Sequence, residues 1–234
     1  MKPVSPKLDH SRIKALIFDV DGTLSDSDDR MVESLFERLL FLKAFLSEEK
    51  IQRFSRWVIH FAEGPGNWAL KIADQVGMDH LIAAFFDRRA RSKEQLSHHY
   101  PLIPGVFPML QEVTQRYPLA IVTARNEVTT RAFLRLNSLE EFFPIVISSQ
   151  TCEKTKPFPD PLLYAASQLG VPIENSLMIG DTVTDVRAAQ AAGAQSLSVL
   201  CGFGRENELR KSGTQAILHS TSQLASFLSE KRED

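Results

Sequence analysis

The 234 residues are 43% hydrophobic and 24% charged, with a formal net charge of -2, an ordinary globular balance. That charge excludes the basic footprint of a nucleic-acid-binding domain, and no apolar run approaches the roughly 20 residues needed to cross a bilayer. The polar start, with Pro3 and Pro6, lacks the apolar stretch of a secretory signal. A cytoplasmic protein with no membrane or nucleic-acid partner is expected. Its two distant cysteines, Cys152 and Cys201, suit a reducing compartment as buried or incidental thiols.

The first strand is expected at 15–18, a continuous apolar run. From 26 to 99 no strand-like run occurs. Apolar positions three and four apart predict helices at 31–45, 51–61, 68–76 and 81–96 instead. Arg88, Arg89, Arg91 and Lys93 fall on the last of these as a solvated face. The breaker-rich segment at 100–105 marks a return to the core. Strands then follow at 119–122, 145–147, 177–179, 197–200 and 216–218. They alternate with helices at 106–117, 127–137, 161–169, 185–192 and 222–228, and Gly170 and Gly193 are placed as stops. Runs that do not alternate in polarity belong to strands covered on both faces. The expected fold is therefore α/β: a doubly wound, mostly parallel, Rossmann-like core at 1–25 and 100–234 with a small all-helical cap inserted at 26–99.

Ligands of such sheets bind beyond the carboxyl ends of the strands. Strand one ends in Asp19-Val20-Asp21-Gly22-Thr23. Residues two apart share a side of a strand, and two neighbouring carboxylates repel unless a cation such as magnesium joins them. Alone, that string also fits a calcium-loop fragment or a plain turn. Strand two delivers Thr123 and Ala124 before a helix N-terminus, suited to phosphate oxygens or, for the threonine, to capping. Lys156 begins a stiff loop with Pro157, Pro159 and Pro161, either to neutralise a carboxylate and a phosphoryl oxygen or as an exposed loop lysine. Asp181 and Asp185, four apart at a further strand end, share one side, or else Asp181 or Thr184 caps the next helix.

The four matches in this order resemble the haloacid-dehalogenase-like hydrolases, most of all their phosphoglycolate-phosphatase-like branch. The resemblance spans roughly 13–228: Asp19 to Leu24, Thr123, Lys156-Pro157, and Gly180-Asp181 with Asp185. It implies a magnesium-dependent phosphatase acting on a small phosphorylated metabolite through an aspartyl-phosphate. Asp19 would be the nucleophile, Asp21 the general acid/base, and Thr123, Ala124 and Lys156 the phosphate-binding residues. Magnesium would be held by Asp19, the main-chain carbonyl of Asp21, and Asp181, with Asp185 as ligand or support. Dehalogenases lack an aspartate at the position of Asp21, so dehalogenation is not expected.

Arg125 stands where the branch more often has lysine, and Gly64, Gly66 and Asn67 stand where related caps read the substrate. These four are the specificity candidates. Gly202-Phe203-Gly204-Arg205 is similar to the family's late glycine loop but lacks the third glycine of a dinucleotide fingerprint. A phosphomutase or a pyrophosphatase on the same scaffold is the alternative, since only the cap would separate them. Asp181 and Asp185 follow the threonine and lysine, which argues against a phospho-accepting receiver. The complete acidic set argues against a purely regulatory phosphate-binding protein. Monomer and homodimer both fit.

Overall fold

A computed structural model of the chain describes residues 7–26 and 101–230. The chain divides into two compact units, Met1–Asp26 with Tyr100–Asp234, and Ser27–His99. All described residues belong to the first. The helices expected between 31 and 96, the basic cluster at Arg88 to Lys93, and Gly64, Gly66 and Asn67 lie outside the described residues.

The described residues form six strands: β1 Ala15–Phe18, β2 Leu119–Val122, β3 Ile145–Ile147, β4 Ser176–Gly180, β5 Gln195–Val199 and β6 Ala216–Leu218. They make one parallel sheet of order β3-β2-β1-β4-β5-β6. Every residue of β1, β2, β4 and β5 is buried, while the edge strands β3 and β6 are mostly half-buried. The apolar runs thus mark strands sandwiched between helix layers.

Strand residues alternate between two cores. Leu16 and Phe18 point with Leu119, Ile121, Leu177 and Ile179 into one. The helices α1 Val106–Val113, α2 Glu127–Leu136 and α6 Leu224–Glu230 contribute to that side through Leu110, Phe133 and Leu224. Ile17, Ala120, Val122 and Met178 point into the other, against α3 Asp160–Leu169 and α4 Val183–Ala192. A sixth helix, α5 Glu206–Ser212, contributes one buried residue, Leu209.

Local differences from the expected elements have local causes. α1 stops at Val113 because the next turn tightens into i→i−3 bonds, Gln115 to Glu112 and Arg116 to Val113. α4 begins two residues early because its cap is Thr182, neither Asp181 nor Thr184. β5 starts at Gln195, since its polar residues are buried with partners: Gln195 bonds the Asp9 backbone and Ser198 donates to Thr214. α5 was not expected, because one apolar residue in seven leaves no periodic signal.

From β1 the chain builds outward through β2 and β3, then crosses back to lay β4 on the other side of β1. The carboxyl ends of β1 and β4 therefore border the switch point, where the loops diverge and open a crevice.

Candidate active site

Asp19 is the first residue past β1, and its N–H continues the ladder to the Ile179 carbonyl. It lies two residues after Ile17, hence on the side of α3 and α4. Asp19 is 8% exposed, Lys156 7%, Asp185 2% and Asp181 0%. Lys156 comes from the loop before α3, and its Nζ lies 2.9 Å from Asp19 Oδ1 and 2.7 Å from Asp185 Oδ1. The alternative of an exposed loop lysine is thereby overturned for Lys156. Lys154, two residues earlier, is the one that stays outside, its ammonium 5.3 Å from the Phe158 ring centroid.

Asp185 sits in the first turn of α4, where its Oδ2 accepts the Thr182 N–H (3.0 Å) and hydroxyl (2.7 Å). A carboxylate at this place both closes the capping box and complements the helix N-terminus. Asp181, at the end of β4, accepts the Phe203 N–H at 2.8 Å and the Thr23 hydroxyl at 3.4 Å. Glycines crowd it: a Cβ on Gly22 would stand 2.7 Å from Asp181 Cγ and 2.9 Å from the Gly202 Cα, and one on Gly204 would overlap the Asp181 carbonyl. Gly22 also has φ +70°, a conformation that costs other residues roughly 1–2 kcal/mol.

Asp19, Asp181 and Asp185 offer carboxylate oxygens that all lie within 4.8 Å of one another. Among the described residues, the Lys156 ammonium pairs with Asp19 and Asp185, while Asp181 lies beside them, so three carboxylates repel one another when all are ionised. Burial pushes the Asp19 carboxyl up to about 7; Lys156 opposes this, and the charges of Asp185 and Asp21 reinforce it. For Lys156, burial pulls the ammonium down, but Asp185 and Asp19 outweigh it and hold it above its usual range. An all-oxygen, electron-rich, buried donor set fits a hard divalent cation such as magnesium.

A direct consequence is testable. A cation held by Asp19 would need its carboxyl ionised, so affinity should rise as pH passes through the value of about 7. Magnesium at about 100 times its Kd is expected to stabilise EDTA-treated protein by about 2.7 kcal/mol near pH 8, raising the thermal midpoint by roughly 5–10 °C, and by clearly less near pH 5.5. Melting curves with and without the ion check this, and an equal gain at both pH values would contradict it.

Other expected residues fall nearby with altered partners. Phe18 lies opposite Ile121, so Asp19 and Thr123 emerge from the same edge of the sheet. Thr123 is buried, its hydroxyl accepting the Arg125 N–H at 3.2 Å. It does not cap α2; Asn126 does, accepting the Thr129 N–H. Ala124 is exposed in the turn that follows. The Asp21 carboxylate is not part of the three-aspartate cluster: Arg125 donates to both of its oxygens, Nε to Oδ2 at 2.7 Å and Nη2 to Oδ1.

Sequence reasoning did not foresee that pair, nor the roles of Phe203 and Thr23 at Asp181. The two glycines of the 202–205 loop were the available signal, since paired glycines often mark close backbone approach.

An open doubly wound sheet with a buried acidic cluster at its switch point places the protein among the Rossmann-like α/β enzymes. Residues 16–199 match the model of the haloacid dehalogenase-like hydrolases, and the chain belongs to that family. It is 29% identical over 231 residues to a phosphoglycolate phosphatase of Nitrosococcus oceani, covering 92% of this chain and 96% of that one. It is 26% identical over 223 residues to the pyrophosphatase PpaX of Halalkalibacterium halodurans, covering 94% and 98%. A crystal structure of a hydrolase from Pseudomonas syringae superposes with a TM-score of 0.73 at 26% identity, covering 93% and 99%. The chain is an enzyme, a hydrolase of the phosphatase kind. Among the described residues, no helix is long and apolar enough to cross a membrane.

Proposed function

We propose that this enzyme is a magnesium-dependent phosphatase that hydrolyses a small phosphorylated metabolite through an aspartyl-phosphate on Asp19. The buried contact between Asp19 and Lys156 carries this reading. A carboxylate held out of bulk water beside a fixed cation, at the switch point of the sheet, is suited to attack phosphorus and to tolerate the charge that follows.

In the first half, an Asp19 oxygen bonds to phosphorus, the ester P–O bond breaks, and Asp21 gives a proton to the departing alkoxide. In the second, Asp21 takes a proton from water, whose oxygen attacks phosphorus. The bond between phosphorus and Asp19 then breaks and free phosphate leaves. Lys156 uses two of its three donors on Asp19 and Asp185, leaving the third for a phosphoryl oxygen. Thr123, with the turn at Ala124, supplies further phosphate contacts. Magnesium, held by Asp19, Asp181, the Asp21 carbonyl and Asp185 as ligand or support, would neutralise charge on the transferring group.

Phosphoglycolate is the first substrate to test and a diphosphate the second, since relatives carrying both names are similar along nearly the whole chain. The test is phosphate release from a panel of phosphoglycolate, pyrophosphate and sugar phosphates, with magnesium or EDTA. Release should fall about a hundredfold or more without the ion. Undiminished release in EDTA would sink the metal-dependent reading. Conversion of one sugar phosphate isomer to another without release would replace the phosphatase with a mutase.

A further inference from the structure

Arg125 reaches across the site to Asp21, and its surroundings leave it little choice. The guanidinium side chain is 10% exposed, against 31% for the Asp21 side chain. Its Nε and Nη2 donate to the two oxygens of Asp21, and Nη2 also lies 3.4 Å from the Ser25 hydroxyl. The guanidinium carbon stands 5.3 Å from the centre of the Phe133 ring, which belongs to α2 and the core. The backbone of Arg125 is pinned at both ends, its N–H on the Thr123 hydroxyl and its carbonyl accepting the Ser149 N–H.

A half-exposed aspartate in a turn would ordinarily sample several rotamers. A two-point fork from a buried arginine removes that freedom, because the planar guanidinium accepts one orientation of the carboxylate. Thr123 is fixed by the same turn, so phosphate contact and acid/base group are referred to one rigid element. The fork also balances the charge that Asp21 carries once it has given up its proton.

We propose that Arg125 is a positioning residue for Asp21, aiming its carboxylate at the leaving oxygen and at the attacking water. The inference rests on the phosphatase reading of the site, in which Asp21 moves the proton. Misplacement of a reacting group by about 1 Å can cost on the order of a hundredfold, and the effect belongs in kcat.

The experiment is steady-state kinetics of wild type, Arg125→Met, Arg125→Lys, Asp21→Asn and the Asp21→Asn/Arg125→Met double variant. An alkyl phosphate from the panel and an aryl phosphate with a good leaving group serve as substrates, and circular dichroism checks folding. Arg125→Met is expected to lower kcat for the alkyl phosphate about a hundredfold, with KM changed less than about threefold. Arg125→Lys should recover part of this and remain roughly tenfold impaired, because a point charge holds one oxygen at a time. The loss should shrink on the aryl phosphate, whose leaving group needs no proton. In the Asp21→Asn background, Arg125→Met should add almost nothing, as expected of residues acting as a unit.

An unchanged kcat in Arg125→Met, a loss confined to KM, or full additivity with Asp21→Asn overturns the inference while leaving the phosphatase reading intact. Absence of turnover by the wild type on every phosphate ester overturns that reading, and the inference with it.

Discussion

Asp19→Asn is expected to abolish phosphate release, lowering kcat by about 10⁴-fold or more, the scale on which removal of a nucleophile acts. The substitution keeps size and shape at a site that is 8% exposed, so packing in the crevice should survive. Lys156 retains Asp185 at 2.7 Å, so its buried ammonium keeps a charge partner. Loss of one of three clustered carboxylates also reduces their mutual repulsion. The variant should therefore melt at or above the wild-type temperature while being catalytically dead. Phosphate release and a thermal melt on the same preparation check both halves. Activity within tenfold of wild type would show that Asp19 does not form the covalent bond. Inactivity with a collapsed fold would show that it is structural.

Lys156→Met should act on stability as well as on rate. The ammonium is buried between Asp19 and Asp185, and its removal leaves two carboxylates out of water with no cation. Breaking a buried pair from one side typically costs about 3–5 kcal/mol, which for a domain of this size lowers the melting temperature by on the order of 10 °C. At neutral pH the wild-type ammonium is fully charged. Its value is raised by the two carboxylates, so its contribution is present below the ordinary lysine value and is lost only as pH rises through the elevated one. The variant's loss should therefore be present across the neutral range, and larger above about pH 7, where Asp19 is ionised, than below it.

Magnesium offers a replacement charge and is expected to recover part of the melting temperature, more than it gives wild type. Asp19→Asn added to Lys156→Met should recover part as well, because it removes one of the two uncompensated charges. A loss under about 1 kcal/mol, or one indifferent to magnesium and to Asp19→Asn, would show that the cluster is not electrostatically coupled as its distances indicate.

The strands were readable in advance because their cause is local. A run such as Ala15-Leu16-Ile17-Phe18 has no polar side chain to send to solvent, so it must be covered on both faces. β1, β2, β3 and β6 begin and end where the apolar runs do. β5 escaped by two residues because Gln195 and Ser196 are polar, and only their partners at Asp9 and Gln215 make them fit for burial. The glycines that end α3 and α4 announced themselves by residue type alone.

Site residues divide in the same way. The sequence alone placed Asp19, Thr123, Lys156 and Asp181 at ends of successive elements, since each directly follows a readable run or opens a proline-stiffened loop. It left open whether the lysine was exposed and whether the threonine was a cap. The second was settled locally, by Asn126 taking the cap; the first turned on topology, since the crossover from β3 back to β4 beside β1 brings Lys156 and then Asp185 to Asp19. The fork between Arg125 and Asp21 spans a separation of 104 residues, and nothing in either local string encodes it. Composition and periodicity act over a few residues and determine which segments are strands and which ends bear acids. Which acid meets which base depends on the order in which the sheet assembles its strands, and that is settled only when the whole core packs.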